Sequence, residues 1–203
     1  MGNLEIKTRG GATIKVVRTL WHVAPGLIVF FYMLKTYPST RAPIIGLSIA
    51  VAVFTVLDIL RFTTTFGYDF FWRYLSFVTS SKERRGPNTS LYYVLSLLVT
   101  ILLFPPRIAM GAIICLCIGD PVAGVVGRLI GRYRLRNKSV EGAAANFIVC
   151  FVILGFLLPS RLVAAAGALA GALIEFLPIP LDDNIVIPLA AAGAMVLVNL
   201  LVS

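Results

Sequence analysis

The chain has 203 residues and a net charge of +9, with 59% hydrophobic and only 13% charged residues. Soluble domains carry about 25% charged residues, and the mean hydropathy here is +0.93. This composition excludes an ordinary soluble domain and predicts an integral membrane protein. The length predicts one domain, residues 1–203, and the polar character of residues 1–18 leads us to expect no signal peptide.

Seven apolar segments are candidate membrane helices, since a helix needs about 20 residues to cross a bilayer. They cover residues 20–34, 42–60, 89–104, 108–130, 142–158, 162–177 and 184–202. We expect residues 1–19 to form a cytoplasmic segment and residues 61–88 a cytoplasmic loop. Within that loop the mixed aromatic and charged stretch 66–78 is typical of a helix on the membrane surface. The predicted fold is an all-α, polytopic membrane protein.

The basic residues predict the orientation of these helices. If the N-terminus is cytoplasmic, all but four of the 18 Lys and Arg residues fall on the cytoplasmic side. The four exceptions are Lys35, Arg41, Arg107 and Arg161. This excess favours seven spans with the N-terminus inside. It also accounts for the net charge without nucleic-acid binding.

The fourth segment carries the deepest acid. Asp120 lies about 16 Å from Gly131 along a helix, and a charge at the bilayer centre costs about 2.5–3.5 kcal/mol on insertion scales. Asp120 and Arg128 are therefore candidates for function. An Asp followed by Pro is also typical of a helix N-cap and first residue. The segment is thus either a continuous helix or one broken at 119–121, where Asp120 would cap a half-helix lining a cavity.

Glycines follow Asp120 at helical spacing. Gly124, Gly127 and Gly131 lie on or near the face that also carries Arg128. Small residues at this spacing allow another backbone or a ligand to approach closely. The pair Gly127 and Gly131 alone favours helix packing, whereas Arg128 among the glycines favours a ligand surface.

The segment after this helix is strongly basic. Arg134 and Arg136 are typical of anchors that bind anionic lipid. Ser139 can cap the fifth helix, whose free N–H groups would form an anion site. Lys138 beside that site is either a phosphate contact or a further anchor.

The loop before the seventh helix is acidic. Asp183 or Asn184 can cap that helix, but capping does not explain both Asp182 and Asp183. Adjacent carboxylates with Glu175 nearby suit a hard divalent cation such as Mg²⁺. The cysteines lie in apolar runs and are predicted to be core residues: Cys115, Cys117 and Cys150.

The order of these polar residues along the chain resembles that of the CTP-dependent lipid kinases. This family includes dolichol, phytol and diacylglycerol kinases and is similar to the phosphatidate cytidylyltransferases. The resemblance extends from Arg18 to about Pro188. It is carried by Arg18-x-x-x-His22-x-x-x-Gly26, Asp58 with Arg61, Glu83-Arg-Arg-Gly-x-x-x-x-Leu-Tyr-Tyr93, Ile118-Gly-Asp-Pro-x-Ala-x-x-x-Gly-Arg128, Lys138-Ser-x-Glu-Gly142, and Glu175 with Asp182-Asp-Asn-x-x-x-Pro188.

The resemblance implies that the protein transfers the γ-phosphoryl group of CTP to a polyprenol, dolichol, phytol or diacylglycerol hydroxyl at the cytoplasmic face, with Mg²⁺ or another divalent cation. The implied catalytic acids are Asp120, Asp183 and Glu141. The implied nucleotide and phosphate contacts are Arg128, Lys138, Ser139, Arg84, Arg85, Gly124, Gly127 and Gly131. The implied metal ligands are Asp120, Asp182, Asp183 and Glu175, and the implied supporting residues are Arg18, His22, Asp58, Arg61, Glu83 and Asn184.

Two alternatives stay open. A cytidylyltransferase would use CTP on a lipid phosphate and release pyrophosphate. A small transporter with an ion-binding core is disfavoured, because transporters often contain internal repeats and none is evident. The predicted topology also leaves no acid on the opposite face, and so no polar path across the membrane.

Overall fold

The computed structural model describes residues 5–7, 13–74 and 88–202. In these ranges the chain is almost entirely helical. The helices are α1 (Val16–Thr36), α2 (Arg41–Thr63), α3 (Thr65–Tyr74), α4 (Thr89–Leu103), α5 (Pro106–Ile114), α6 (Asp120–Ile130), α7 (Val140–Leu157), α8 (Arg161–Phe176) and α9 (Asp183–Val202). Two antiparallel pairs of short strands complete it: β1 (Glu5–Lys7) with β2 (Thr13–Lys15), and β3 (Arg134–Leu135) with β4 (Lys138–Ser139).

The predicted class, an all-α membrane protein, is confirmed. Four helices are long and apolar enough to cross a membrane, and α4 is a shorter apolar helix. The four are Arg41–Thr63, Pro106–Ile130, Val140–Leu157 and Asp183–Val202. The number of seven spans, the cytoplasmic N-terminus and the surface position of α3 stay predictions.

Some predicted site residues cannot be placed. Glu83, Arg84 and Arg85 lie outside the described residues. Arg18 belongs to the backbone of α1, but its side chain is also outside the description.

The helix from Pro106 to Ile130 forms the centre of the bundle. About 67% of its apolar window is buried, against 17–28% for the other three long helices. Ala109, Ile113 and Ala112 are completely buried, as are the three free cysteines. The prediction that the cysteines are core residues is confirmed. Arg107, at the start of this helix, is exposed, whereas Asp120 and Arg128 are partly buried.

Asp120 does not begin a new helix. A π-helical turn, Cys115–Gly119, joins α5 to α6, and the Asp120 N–H donates to the Cys115 carbonyl five residues earlier. Both Gly119 and Asp120 have helical backbone angles. Pro121 has no N–H, and its ring would clash with the carbonyl four residues before it in a regular helix. The wider turn accommodates the proline. The predicted break and the N-cap role of Asp120 are therefore wrong, and the continuous helix is the correct alternative.

Candidate functional site

The polar residues lie at one end of the bundle. Lys138 Nζ is 2.7 Å from Asp183 Oδ2, which joins β4 to the start of α9. At α1 and α4, Trp21 Nε1 donates to Ser90 Oγ at 3.2 Å. The first contact joins the segment before α7 to α9, and the second joins α1 to α4. Each contact connects segments that are far apart in the sequence.

Asp120 lies at the centre of this arrangement. The Asp120 carboxylate interacts electrostatically with Asp183, Lys138, Asp182 and Arg128. Asp120 itself is partly buried. The structure thus brings together residues that are distant in the sequence. We call this group the Asp120 cluster; it consists of Asp120, Arg128, Lys138, Glu175, Asp182 and Asp183.

Glu175 adds a buried carboxylate from the end of α8. The residue is 7% exposed and interacts electrostatically with Asp120, Lys138 and Asp183. Its Oε2 is buried and accepts no hydrogen bond from the part of the chain that the structure describes. Burying an ionised carboxylate is costly unless a cation or a proton compensates it. Glu175 is therefore either protonated or compensated by a cation beyond the single nearby lysine.

The charges of the Asp120 cluster are unbalanced. Among the described residues it contains four carboxylates, from Asp120, Glu175, Asp182 and Asp183, against the two cations Lys138 and Arg128. No group of three His, Cys, Asp or Glu residues in the described ranges could hold a metal ion by itself. Mg²⁺, however, usually takes one or two protein carboxylates and completes its shell with water and substrate phosphates. The excess negative charge fits such an ion, and the metal site stays a prediction.

The cap of α9 differs from the one expected. Asp182 Oδ1 accepts hydrogen bonds from the Asn184 N–H at 3.0 Å and from Asn184 Nδ2 at 2.7 Å. Capping by Asp183 or Asn184 is therefore wrong. The Asp182 side chain satisfies the helix terminus, because it precedes the first helical residue and can fold back over the next turn. Asp183 is left to pair with Lys138.

Replacing Asp182 by alanine is expected to destabilise the protein by about 1 kcal/mol, the typical cost of losing an N-cap. Thermal unfolding of the detergent-solubilised protein measures the effect. Asp69→Ala is the matched control, because Asp69 is exposed on α3. Equal unfolding temperatures for the two variants would show that the cap contributes nothing.

The glycines of α6 divide into two groups. A Cβ on Gly127 would lie 2.6 Å from Ser139 Oγ, and one on Gly131 would lie 2.8 Å from the same atom. Both glycines therefore allow close packing of α6 against the strand that leads into α7. Gly124 instead faces the guanidinium of Arg128, where a Cβ would be 3.5 Å from Nη2. Contact of any of these glycines with a nucleotide stays a prediction.

Ser139 caps α7, as predicted. Its Oγ accepts from the Gly142 N–H at 3.0 Å, and the residue is buried. The hydroxyl is therefore engaged by the protein. Of the predicted phosphate contacts that the structure describes, Lys138 and Arg128 are the cations that keep partial exposure.

The hairpin between α6 and α7 is held by two charged side chains. Arg134 Nη2 donates to the Gly127 carbonyl at 2.7 Å, and its Nε donates to the Gly131 carbonyl at 3.2 Å. Arg134, expected to bind lipid, thus satisfies the last carbonyls of α6. Glu141 Oε1 accepts from the backbone N–H groups of Arg132 and Tyr133. Glu141 therefore positions the hairpin, and a catalytic role for it stays a prediction.

Asp58 and Arg61 stabilise the start of α4. They form a buried ion pair of 3.1 Å, and Asp58 Oδ2 accepts from the Asn88 N–H at 2.8 Å. Asn88 in turn caps α4 by accepting from the Ser90 N–H. Both residues of the ion pair lie near the C-terminal end of α2. The pair lies beside the start of α4. Neither residue is among the groups that interact electrostatically with Asp120.

Tyr93 connects this region to the Asp120 cluster. Its ring lies edge-on to His22, with 5.6 Å between the centroids. A Cβ on Gly26 would lie 2.5 Å from the Tyr93 hydroxyl, so this glycine makes room for it. The same added Cβ would also collide with the Cys117 side chain, so the Tyr93 hydroxyl packs beside the turn that leads to Asp120. The sequence motif ending at Tyr93 was recognised, but no role was predicted for this residue.

Asn146 is a second residue that the sequence analysis missed. It is completely buried in α7, and its Oδ1 accepts from Cys150 Sγ at 3.2 Å. A Cβ on Gly119 would lie 2.5 Å from the same oxygen, so Asn146 packs on the turn that precedes Asp120. A polar residue inside an apolar segment is itself a signal of function, and segment 142–158 contains this one.

Comparison with known proteins shows that the chain is similar to lipid kinases. The chain is 25% identical to the CTP-dependent diacylglycerol kinase 1 of Schizosaccharomyces pombe, over 70% of this chain and 74% of that protein. It is 29% identical to the chloroplastic farnesol kinase of Arabidopsis thaliana, over 94% and 67%. It is 28% identical to the probable phytol kinase 3 of Glycine max, over 90% and 63%.

These relatives confirm the predicted resemblance to CTP-dependent lipid kinases. The chain covers 63% of the length of the phytol kinase, slightly less than two thirds. No family model matches the chain, and no solved structure matches it. The relatives differ in the lipid alcohol that their names give.

Proposed function

We propose that the protein transfers the γ-phosphoryl group of CTP to the hydroxyl of a membrane lipid alcohol. The observation that supports this most strongly is the Asp120 cluster, in which a deep acid meets the Lys138–Asp183 pair. Phosphoryl transfer depends mainly on positioning and on neutralising charge. An acid inside the bundle next to cations at its end supplies both requirements.

Each member of the Asp120 cluster has a distinct part in this proposal. Lys138 and Arg128 bind the phosphates of CTP as cations. Asp120 accepts the proton of the lipid hydroxyl as its oxygen bonds to the γ-phosphorus. The bond between the γ-phosphorus and its bridging oxygen breaks, and CDP leaves. Asp183 and Glu175 would hold a divalent cation, which would neutralise charge on the phosphates.

The site is proposed to face the cytoplasm. Basic residues are concentrated at the ends of the segments that meet there, and cytoplasmic loops of membrane proteins carry an excess of Lys and Arg. CTP is available on that side. The lipid alcohol would enter from the membrane with its hydroxyl at the interface.

Donor and acceptor can be tested together. The purified protein is supplied with CTP or ATP and with diacylglycerol, farnesol, phytol or a polyprenol, and the lipid products are separated. We expect at least one alcohol to be phosphorylated, with CTP preferred over ATP. Equal use of both nucleotides would contradict CTP as the donor, and no phosphorylated lipid from any of these alcohols would contradict the kinase.

A further inference from the structure

An apolar cavity of about 490 Å³ lies between α1, α2 and α4. Its size falls within the range of small-molecule sites, roughly 300–1,000 Å³. Its walls include Ile28, Leu47, Phe54 and Val94. On α1 it extends over residues 21–32, about 16 Å along the helix axis. We call this cavity the α1–α2 groove.

The groove exists because α1 does not close against the small residues of α2. Ala42, Gly46 and Ala50 recur every four residues and line the groove. Such a stripe normally lets a neighbouring helix approach closely. A Cβ on Gly46 would nevertheless meet no atom within 4 Å, because α2 packs mainly against α3 and α4. An apolar space of this kind binds apolar molecules.

One end of the groove is polar and connected to the Asp120 cluster. Trp21, Ser90 and Tyr93 line this end, where Trp21 Nε1 donates to Ser90 Oγ. The Tyr93 hydroxyl and the Cys117 side chain both lie where a Cβ on Gly26 would be, so this end of the groove borders the turn that leads to Asp120. Among the lining residues, the opposite end carries one hydroxyl, that of Tyr32, which is 46% exposed, whereas Tyr93 is 3% exposed. A molecule with one polar end and a long apolar chain therefore fits best with its polar end at Trp21, Ser90 and Tyr93.

We infer that the α1–α2 groove binds one hydrocarbon chain of the lipid alcohol, with the hydroxyl at the Tyr93 end. The inference rests on the proposed function for the identity of this lipid. The groove determines the length and shape of chain that the site accepts, whereas the Asp120 cluster acts only on the hydroxyl. A single-chain isoprenoid alcohol would place its chain along the groove, and a two-chain lipid would insert one chain.

Filling the groove tests this inference kinetically. In Gly46→Leu the new side chain occupies the open space beside α1, and we expect KM for the lipid alcohol to rise at least about tenfold. KM for CTP should not change. Gly193→Leu is the matched control, because a Cβ on Gly193 of α9 also meets no atom within 4 Å. An unchanged KM for the lipid alcohol in Gly46→Leu would overturn the inference. If Gly46→Leu does not fold, Ala50→Leu is used in its place.

A photoreactive probe tests binding without turnover. Phytol carrying a diazirine at the end of its chain is added to the full-length protein without CTP, irradiated and mapped by mass spectrometry. We expect labels on α1 and α2 near Tyr32 and Ala42, and fewer of them in Gly46→Leu. Labels spread evenly over the lipid-facing helices would indicate bulk membrane contact and overturn the inference.

The two experiments also separate this inference from the proposed function. If the wild-type protein phosphorylates no alcohol but the probe labels the groove, the kinase fails and the chain-binding groove stands. If phosphorylation occurs but the labels lie on other helices, the groove fails and the kinase stands.

Discussion

Replacing Asp120 by asparagine is expected to lower the turnover number for lipid phosphorylation by about 10²–10⁴-fold, the usual contribution of a general base. Asparagine has nearly the same shape but cannot accept the proton of the lipid hydroxyl. KM for CTP should change much less, because Lys138 and Arg128 keep their charges. The initial rate of lipid phosphate formation at saturating CTP measures the effect.

The structure provides a check that this loss is not caused by unfolding. Two further acids, Asp182 and Asp183, act on the Asp120 carboxylate, and like charges repel. Removing one charge relieves this repulsion, so Asp120→Asn should unfold at a temperature no lower than the wild type. Asp69→Asn is the control for turnover, since Asp69 is exposed on α3. Near-normal turnover in Asp120→Asn would remove this acid from the mechanism.

Lys138→Met is expected to lower kcat/KM for CTP by about 10- to 100-fold, since a hydrogen bond to a charged group contributes about 1.5–3 kcal/mol. The methionine keeps most of the side-chain length without the charge. Lys35→Met is the matched control, because Lys35 is an exposed lysine in the last turn of α1 and is not part of the Asp120 cluster. Kinetics at varied CTP concentration measure the change.

A double substitution distinguishes a phosphate contact from a structural ion pair. If Lys138 serves only to neutralise Asp183, then Asp183→Asn in the Lys138→Met background should restore the unfolding temperature and KM for CTP, although turnover stays low because Asp183 is itself a proposed metal ligand. If Lys138 binds phosphate, KM for CTP in the double variant stays at least as high as in Lys138→Met. A restored KM for CTP would therefore contradict the proposed role of Lys138.

The positions of the helices could be predicted because the bilayer sets their length. Predicted segments 42–60 and 184–202 correspond to Arg41–Thr63 and Asp183–Val202. Stretches of this length must satisfy all their backbone hydrogen bonds internally, which leaves the helix as the available form. Charged and Pro-containing loops then fix where each helix ends.

The details of the candidate site depend on packing that hydropathy does not describe. Asp120-Pro121 is equally compatible with a helix start and with a π-helical turn, and only the packed bundle decides between them. Asp182 caps α9 although Asp183 and Asn184 are equally suitable residue types. A small-residue stripe such as the one around Gly46 normally allows close helix packing, but α2 lies against other helices and the stripe stays open.

The fate of the phosphorus atoms of CTP tests the central claim most directly. The wild-type protein is incubated with a lipid alcohol that it phosphorylates and with CTP labelled either at the α- or at the γ-phosphorus, and the lipid is extracted. A kinase built on the Asp120 cluster predicts that only the γ-label enters the lipid and that CDP accumulates. Transfer of the α-label to a lipid phosphate with release of pyrophosphate would contradict the account.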